Sequence, residues 1–298
     1  MKLDSNLVGT ALLPYQTRIG WRETTNFAAA TGDHNPRYFD DCNSKMPLSH
    51  PIFPVAITWP VLSRLDKFIN ARDFPKEVLL TQVHYSEHLS LHRLVRPGDE
   101  LSIKGVLKAL LPHRAGTHAI ICMDALDRNG EPVFTEHIGA MLRGVDCGKG
   151  GQAGTIPLIP EMDGTADALW TSNIHIDPLQ PYIYDGCTGI EFPIHTSPNF
   201  AQAVGLPGII LQGTATLAHA VREMVDKEAG QNPEDILEIA CRFTGMVLPG
   251  TDIKVVCTGK KIQQTVKDVF FEVWNSEQNK AVRSGYVKIR KRGENEQH

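Results

Sequence analysis

Two stretches of apolar residues at helical spacing, each followed by a long run of alternating residues, set the plan of the chain. From Thr214 to Val225 the apolar residues Ala215, Leu217, Ala218, Val221 and Val225 fit one face of a helix. Trp21 to Ala30 shows the same spacing and stops at Thr31-Gly32. Pro51 to Ala71 reads as a long apolar helix, although Pro54 and Pro60 obscure its start, since an interior proline costs about 3 kcal/mol. From Val78 to Gly144 the period becomes two. Pro97-Gly98 marks a turn, Arg128-Asn-Gly130 a hairpin turn, and Val133 to Arg143 a last strand. In the second half, Trp170 to Ile183 reads as a strand region. Further strands are expected over Ile253–Gly259, Val266–Trp274 and Ala281–Ile289. The charged tail Lys291–His298 is expected to fray.

The two halves repeat each other. Gly32 matches Gly189 and Pro36 matches Pro193, Thr58 matches Thr214, and Pro97-Gly98 matches Pro249-Gly250, in one order at nearly one spacing. Residues 145–167 hold five Gly and two Pro and read as a linker. The expected domains are therefore 1–147 and 165–298, joined by 148–164, each a helix wrapped by an antiparallel sheet. A length of 298 residues suits two such domains.

Composition narrows the function. A net charge of −4 gives no basic field for nucleic acid or anionic membrane. No run of about 18 apolar residues and no signal-peptide pattern is present, so a soluble, cytoplasmic-type protein is expected. Six singly scattered cysteines, without a Cys-x-x-Cys pair, read as reduced thiols. His84, His88 and His92 would align on a helix, but this stretch reads as a strand, where residues four apart lie about 13 Å from each other, too far for one metal. No dinucleotide fingerprint, P-loop or nucleophile elbow appears, and no cofactor or metal is expected.

The chemistry concentrates in residues 184–217. A polar turn carries His195; Gly205-Leu-Pro-Gly208 then breaks the chain before Gln212-Gly213 opens the helix. A glycine at a helix start leaves backbone N–H groups free to hold an oxyanion.

Gly32-Asp-His-Asn-Pro-Arg-Tyr38 resembles the Gly-Asp-x-Asn-Pro-x-His motif of the MaoC-like (R)-specific enoyl-CoA hydratase/dehydratase family, and Tyr184 to Gly213 resembles a second copy. Arg96-Pro-Gly-Asp-Glu-Leu101 resembles the start of the family's sheet. The resemblance implies an α+β double hot-dog, two repeats each with a long central helix wrapped by an antiparallel sheet. It also implies a homodimer and an acyl-CoA or acyl-carrier-protein thioester as substrate. The implied reaction is hydration of a 2-enoyl thioester, or its reverse. An aspartate and a histidine hold the water while backbone N–H polarises the thioester carbonyl.

Both copies depart from the motif. The first keeps Asp33 and Asn35 but has Tyr38 at the histidine position. The second keeps His195 but has Ile190 and Phe192 in place of the aspartate and asparagine. Tyr38, with an ordinary pKa near 10, is a poor acid/base at neutral pH. The working site is therefore expected in the second half. His195 and Glu191 form the acid/base pair, Glu191 replacing the lost carboxylate. Gln212, Gly213 and Gly208 form the oxyanion and substrate-binding wall. Asp33, Asn35 and Tyr38 make a secondary, mainly structural group, and the first half shapes the acyl cavity. Another acyl-thioester reaction (thioesterase or isomerase) or an inactive acyl-binding scaffold are the alternatives.

Overall fold

The structure, a computed structural model, describes residues 1–42, 47–72, 74–162 and 167–292. The first half contains strand β1 (Tyr15–Arg18), helices α1 (Trp21–Ala30), α2 (Pro54–Leu62) and α3 (Leu65–Phe68), then β2 (Gln82–Leu91), β3 (Glu100–His113), β4 (Gly116–Asp127) and β5 (Pro132–Arg143). A two-residue strand, β6 (Gln152–Ala153), follows. The second half contains β7 (Trp170–Ile176), α4 (Gln180–Thr188), α5 (Pro198–Ala203), α6 (Gly213–Glu228), β8 (Ile236–Phe243), β9 (Thr251–Ile262), β10 (Val266–Trp274) and β11 (Lys280–Arg290).

All the strands belong to one antiparallel sheet, ordered β1-β3-β4-β5-β2-β8-β11-β10-β9-β7, with β6 beside β3. The order is symmetric about the β2–β8 seam, where Glu87 pairs with Cys241 and Leu89 with Ile239. The internal repeat thus becomes two half-sheets joined edge to edge, which removes two exposed edges. The landmark glycines match in backbone as well as position. Gly32 and Gly189 end α1 and α4 with φ of 60° and 69°. Gly98 and Gly250 turn at φ of 92° and 76°. In this left-handed region a side chain is disfavoured, which explains the glycine at each place. Pro36–Tyr38 and Pro193–His195 each form a single 3-10 turn, so Tyr38 and His195 occupy equivalent points.

The sheet wraps around α6, whose Leu217, Val221, Met224 and Val225 are fully buried. Each such side chain contributes about 1.5–3 kcal/mol of burial. The helix is buried on more than the one face that its periodicity predicts, because α1 and the first-half loops cover what the sheet does not: Arg222 Nη1 donates to the carbonyls of Thr31 and Gly32.

Two element predictions need correction. The helix expected over Pro51–Ala71 is broken into α2 and α3 at Arg64 (φ −129°, ψ 36°), so the first half has no long central helix. Pro60 removes one N–H from the α2 ladder, and its own carbonyl, at the end of α2, accepts from the Arg64 side chain. The strand expected over Trp170–Ile183 ends at Ile176. Asp177 there accepts the Leu179 N–H, and Pro181 sits in the first turn of α4, where a missing donor costs nothing.

The linker expected over 148–164 starts with β6, then lays Ile159 and Met162 on an outer apolar patch formed by Ala240, Phe270 and Tyr286. Residues 163–166, where the linker meets the second half, and most of the tail, 293–298, lie outside the described residues. No helix among the described residues is long and apolar enough to cross a membrane.

Candidate active site

The 3-10 turn Pro193–His195 and the N-terminus of α6 face one cavity of about 1650 Å³. His195, Gln212, Gly213 and Thr214 line it from the second half. From the first half come apolar side chains of α2, α3 and the loops beyond, among them Val55, Trp59, Leu65 and Leu79. The first half thus adds a mainly apolar wall, and the second half adds His195, Gln212 and the start of α6.

His195 is held by a 2.8 Å hydrogen bond between Nδ1 and the carbonyl oxygen of Ile210. A carbonyl only accepts, so Nδ1 carries the proton and Nε2 of the neutral ring is the basic nitrogen. Burial lowers the His195 pKa to about 4, with the Ile210 bond opposing it. The ring is neutral at physiological pH, as a general base must be.

At Gly213, the first residue of α6, the backbone N–H groups of the opening turn have no partner within the helix. The N-cap Gln212 does not satisfy them with its side chain. Gln212 instead donates its Nε2 to the Pro181 carbonyl at 3.0 Å, and its buried Oε1 has no hydrogen-bond partner among the described residues. Thr214 is fixed by the Tyr184 hydroxyl at 3.1 Å. A Cβ on Gly213 would lie 3.2 Å from the Phe243 ring, so the glycine lets that ring close over the helix start.

The remaining expected residues fall elsewhere. Glu191 is exposed and does not line the cavity, so it is not brought to His195. The chain there is extended, with φ −153° and ψ 128° at Phe192. Ile190 and Phe192 therefore turn into the cavity and Glu191 turns out, where its charge adds to burial in raising the pKa of Asp185. Gly208 also lies outside the lining.

Asp33, Asn35 and Tyr38 build a buried joint instead. Asn35 donates its own N–H to Asp33 Oδ1, and its Nδ2 reaches the Gln231 carbonyl of the other half at 2.8 Å. Asp33 Oδ2 lies 3.7 Å from His50 Nε2, both side chains buried. Burial raises the Asp33 pKa to about 6 and lowers that of His50 to about 3.

His84, which sequence reasoning weighed only as a metal ligand, lines the cavity. Its ring lies 4.5 Å from that of Phe243. A β-bulge at Tyr85 turns it there, a feature that the residue pattern does not signal. The same bulge places His84 and His88 on opposite faces of β2.

With this geometry in hand, comparison with known proteins places the chain. Residues 167–281 match the model of the MaoC like domain, and residues 6–136 match the FAS1-like dehydratase domain region. The chain thus carries a MaoC like domain in its second half and a FAS1-like dehydratase domain region in its first. It is 28% identical over 262 residues to 3-hydroxyacyl-thioester dehydratase Y of Mycobacterium tuberculosis, covering 86% of this chain and 87% of that one. It is 26% identical over 186 residues to peroxisomal multifunctional enzyme type 2 of Drosophila melanogaster. There the match covers 59% of this chain and only 30% of the relative, so the chain spans under a third of that protein. The crystal structure of a MaoC-like dehydratase from Phytophthora capsici superposes with a TM-score of 0.82 at 18% identity, covering 98% of this chain and all of that one. That likeness establishes the double hot-dog fold of this MaoC-like chain.

Proposed function

We propose that this protein hydrates a 2-enoyl thioester, or dehydrates a 3-hydroxyacyl thioester, in the second-half site. The observation that carries the reading is the placement of one neutral imidazole, His195, in the same cavity as the open N-terminus of α6. Nε2 takes a proton from water as its oxygen bonds to the β-carbon. The C=C electron pair moves toward the thioester carbonyl, and the oxyanion forms against the N–H groups of Gly213 and Thr214; as it collapses, the proton held on His195 Nε2 passes to the α-carbon, which completes the addition of one water. Preorganised donors of this kind contribute about 2.7–4 kcal/mol each to such a step. Gln212 Oε1, buried and free, is suited to accept a hydrogen bond from the water.

The apolar wall from α2, α3 and the loops beyond takes the acyl chain. Arg114, Arg143 and Arg283 are exposed and line the same cavity, which suits a phosphate-bearing thioester carrier, CoA or a carrier protein. Two domains, 1–147 and 165–298, homodimeric assembly and a cytoplasmic-type compartment complete the proposal.

A second reading, an inactive acyl-binding protein, is favoured by Ile190 and Phe192, which put apolar side chains where the family motif has its aspartate and asparagine. Crotonyl-CoA and longer enoyl-CoAs separate the readings. Loss of the conjugated absorbance supports hydration. Release of free CoA indicates a thioesterase, and binding without turnover indicates the scaffold.

A further inference from the structure

Thr214, the second residue of α6, stands in the cavity wall, and Tyr184 of α4 lies fully buried behind it. The Tyr184 hydroxyl donates to Thr214 Oγ1 at 3.1 Å. Two hydroxyls joined by one hydrogen bond hold one hydrogen more than the bond uses. With Tyr184 donating, the spare hydrogen is on Thr214. A threonine inside a helix commonly gives its hydroxyl hydrogen to the carbonyl four residues back. Thr216 does so, donating to the Gln212 carbonyl at 3.2 Å. For Thr214 that carbonyl belongs to Ile210, and it already accepts from His195 Nδ1. The Thr214 hydroxyl thus donates to no acceptor among the described residues.

The free hydrogen is on the side of the helix that matters. Every Cα–Cβ bond of a helix tilts toward its N-terminus, so a side chain of the first turn leans over the open end. The Thr214 side chain therefore leans the same way as the unpaired N–H groups of that turn. Tyr184 is itself held firmly. Its ring packs edge-on against Phe27 of α1, with centroids 5.7 Å apart. At the start of α4, Gln180 Nε2 donates to the Ala30 carbonyl that ends α1. The Pro181 carbonyl accepts from Gln212 Nε2 at 3.0 Å. Helix α4 thus grips the start of α6 at Gln212 and at Thr214, and is anchored to the first half.

We infer that the Thr214 hydroxyl is a further catalytic donor of this site, giving the oxyanion a hydrogen bond beside those of the two N–H groups, and that Tyr184 is the residue that positions it. This rests on the hydratase reading. As the C=C electron pair moves toward the thioester oxygen, the spare hydrogen of Thr214 turns to that oxygen. Oγ1 goes on accepting from Tyr184. No proton changes hands in this contact, so the addition of water through His195 balances as before.

The order of donors carries the chemistry. Hydrogen bonds in a chain polarise one another, so a Thr214 oxygen that accepts from a phenol is a stronger donor than a lone hydroxyl. Burial pushes the Tyr184 pKa up, against the effect of its bond to Thr214, so the phenol keeps its hydrogen at neutral pH. A bond from Tyr184 that only tied α4 to α6 would serve stability alone. Its acceptor would then not need to be a side chain of the cavity wall with its own hydrogen unused.

The test is steady-state hydration of crotonyl-CoA and a longer enoyl-CoA by the full chain, for wild type, Thr214→Val, Thr214→Ser, Tyr184→Phe and the double variant of Thr214→Val with Tyr184→Phe. Valine keeps the shape of threonine and removes the hydroxyl. Thr214→Val is expected to lower kcat about 100-fold with KM changed less than threefold, as befits a bond made only in the transition state. Thr214→Ser keeps the donor and should stay within about fivefold of wild type. Tyr184→Phe should lower kcat about tenfold, and the double variant should match Thr214→Val within twofold, because Tyr184 acts only through the hydroxyl. A kcat of Thr214→Val within twofold of wild type, or one no lower than that of Thr214→Ser, overturns the donor role and leaves the hydratase reading standing. A double variant that loses the full product of the two single losses overturns the positioning role of Tyr184. If Thr214→Val does not fold, Thr214→Ala is judged by the same limits. No wild-type hydration of any enoyl-CoA overturns the hydratase reading itself, and this donor with it.

Discussion

His195 Nδ1 donates its proton to the carbonyl oxygen of Ile210, three residues before α6, whose N-terminus is proposed to hold the oxyanion. One hydrogen bond thus fixes the tautomer of the base and ties its ring to the backbone leading into Gly213. His195→Ala should lower turnover at least about a hundredfold while the melting temperature stays within a few degrees. The pH dependence carries a sign. The base is active when neutral and its pKa is lowered to about 4, so kcat/KM should hold through pH 6 and fall only as pH approaches 4. A fall centred near 6.5 would show a solvated imidazole and break the assignment.

Gly213→Ala tests the oxyanion wall. The new methyl meets Phe243 at 3.2–3.5 Å, so the ring has to move by a few tenths of an ångström or the helix start shifts. Rates are sensitive to donor placement on that scale. A drop in kcat of tenfold or more is expected, without loss of fold. Phe243→Leu in the Gly213→Ala background should recover part of it by making room. Steady-state kinetics of the single and double variants check this.

Glu191→Gln should leave kcat and KM within twofold of wild type, since the carboxylate faces solvent. Tyr38→Phe should likewise leave activity unchanged. Its hydroxyl is buried with no hydrogen-bond partner among the described residues. Removing an unpaired buried group relieves a desolvation cost, so the melting temperature should stay the same or rise. Loss of turnover in either variant would return that residue to the site.

The repeat, the turns and the strands were legible because they rest on local signals. Gly32, Gly189, Gly98 and Gly250 announce backbone conformations that few other residues adopt. The place of His195 at the cavity wall was legible through its motif. The partner assigned to it was not, because the choice between Ile190, Glu191 and Phe192 depends on which way one extended residue points. His84 stayed hidden for a related reason. Strand period two puts His84 and His88 on one face, and only the bulge separates them.

Acid should unfold the protein through its buried histidines. His50 and His219 have pKa values lowered to about 3 by burial, against 6.5 when unfolded. The unfolded chain therefore binds more protons between these values, and the stability from these groups is full above about 6.5 and lost as pH falls toward 3. Asp33, raised to about 6, works in the opposite sense: its contribution is present below about 3.8 and lost as pH rises through 6. His84, His118, His137 and His195, lowered to about 4 by burial, act with these two, while the buried Glu87 and Glu136, raised by burial, act with Asp33; the histidines outnumber the carboxyls, so the midpoint of urea unfolding should fall from pH 6.5 to 4. His219→Gln should flatten that slope even if it lowers stability at pH 7. An unchanged slope would mean that His219 is not the group taking up protons.

The joint between the halves offers a direct comparison of a shielded with an exposed arginine. Arg222 on α6 donates to the carbonyls of Thr31 and Gly32 at 2.9 and 3.1 Å, with its side chain 17% exposed. Those carbonyls end α1, where the helix ladder leaves acceptors free. Arg37 pairs with Glu234 at 2.6 Å, but both side chains are about one-third exposed. Water competes for the second pair and side-chain entropy opposes it, so it is worth less than about 1 kcal/mol. Removing Arg222 leaves the buried Thr31 carbonyl without its charged donor, at about 1.5–3 kcal/mol. Urea unfolding should therefore show Arg222→Ala destabilised by about 2 kcal/mol or more and Arg37→Ala by less than 1 kcal/mol, both still in one transition. Two separate transitions in Arg222→Ala would show that this arginine couples the halves. Equal losses in the two variants would contradict the ranking by burial.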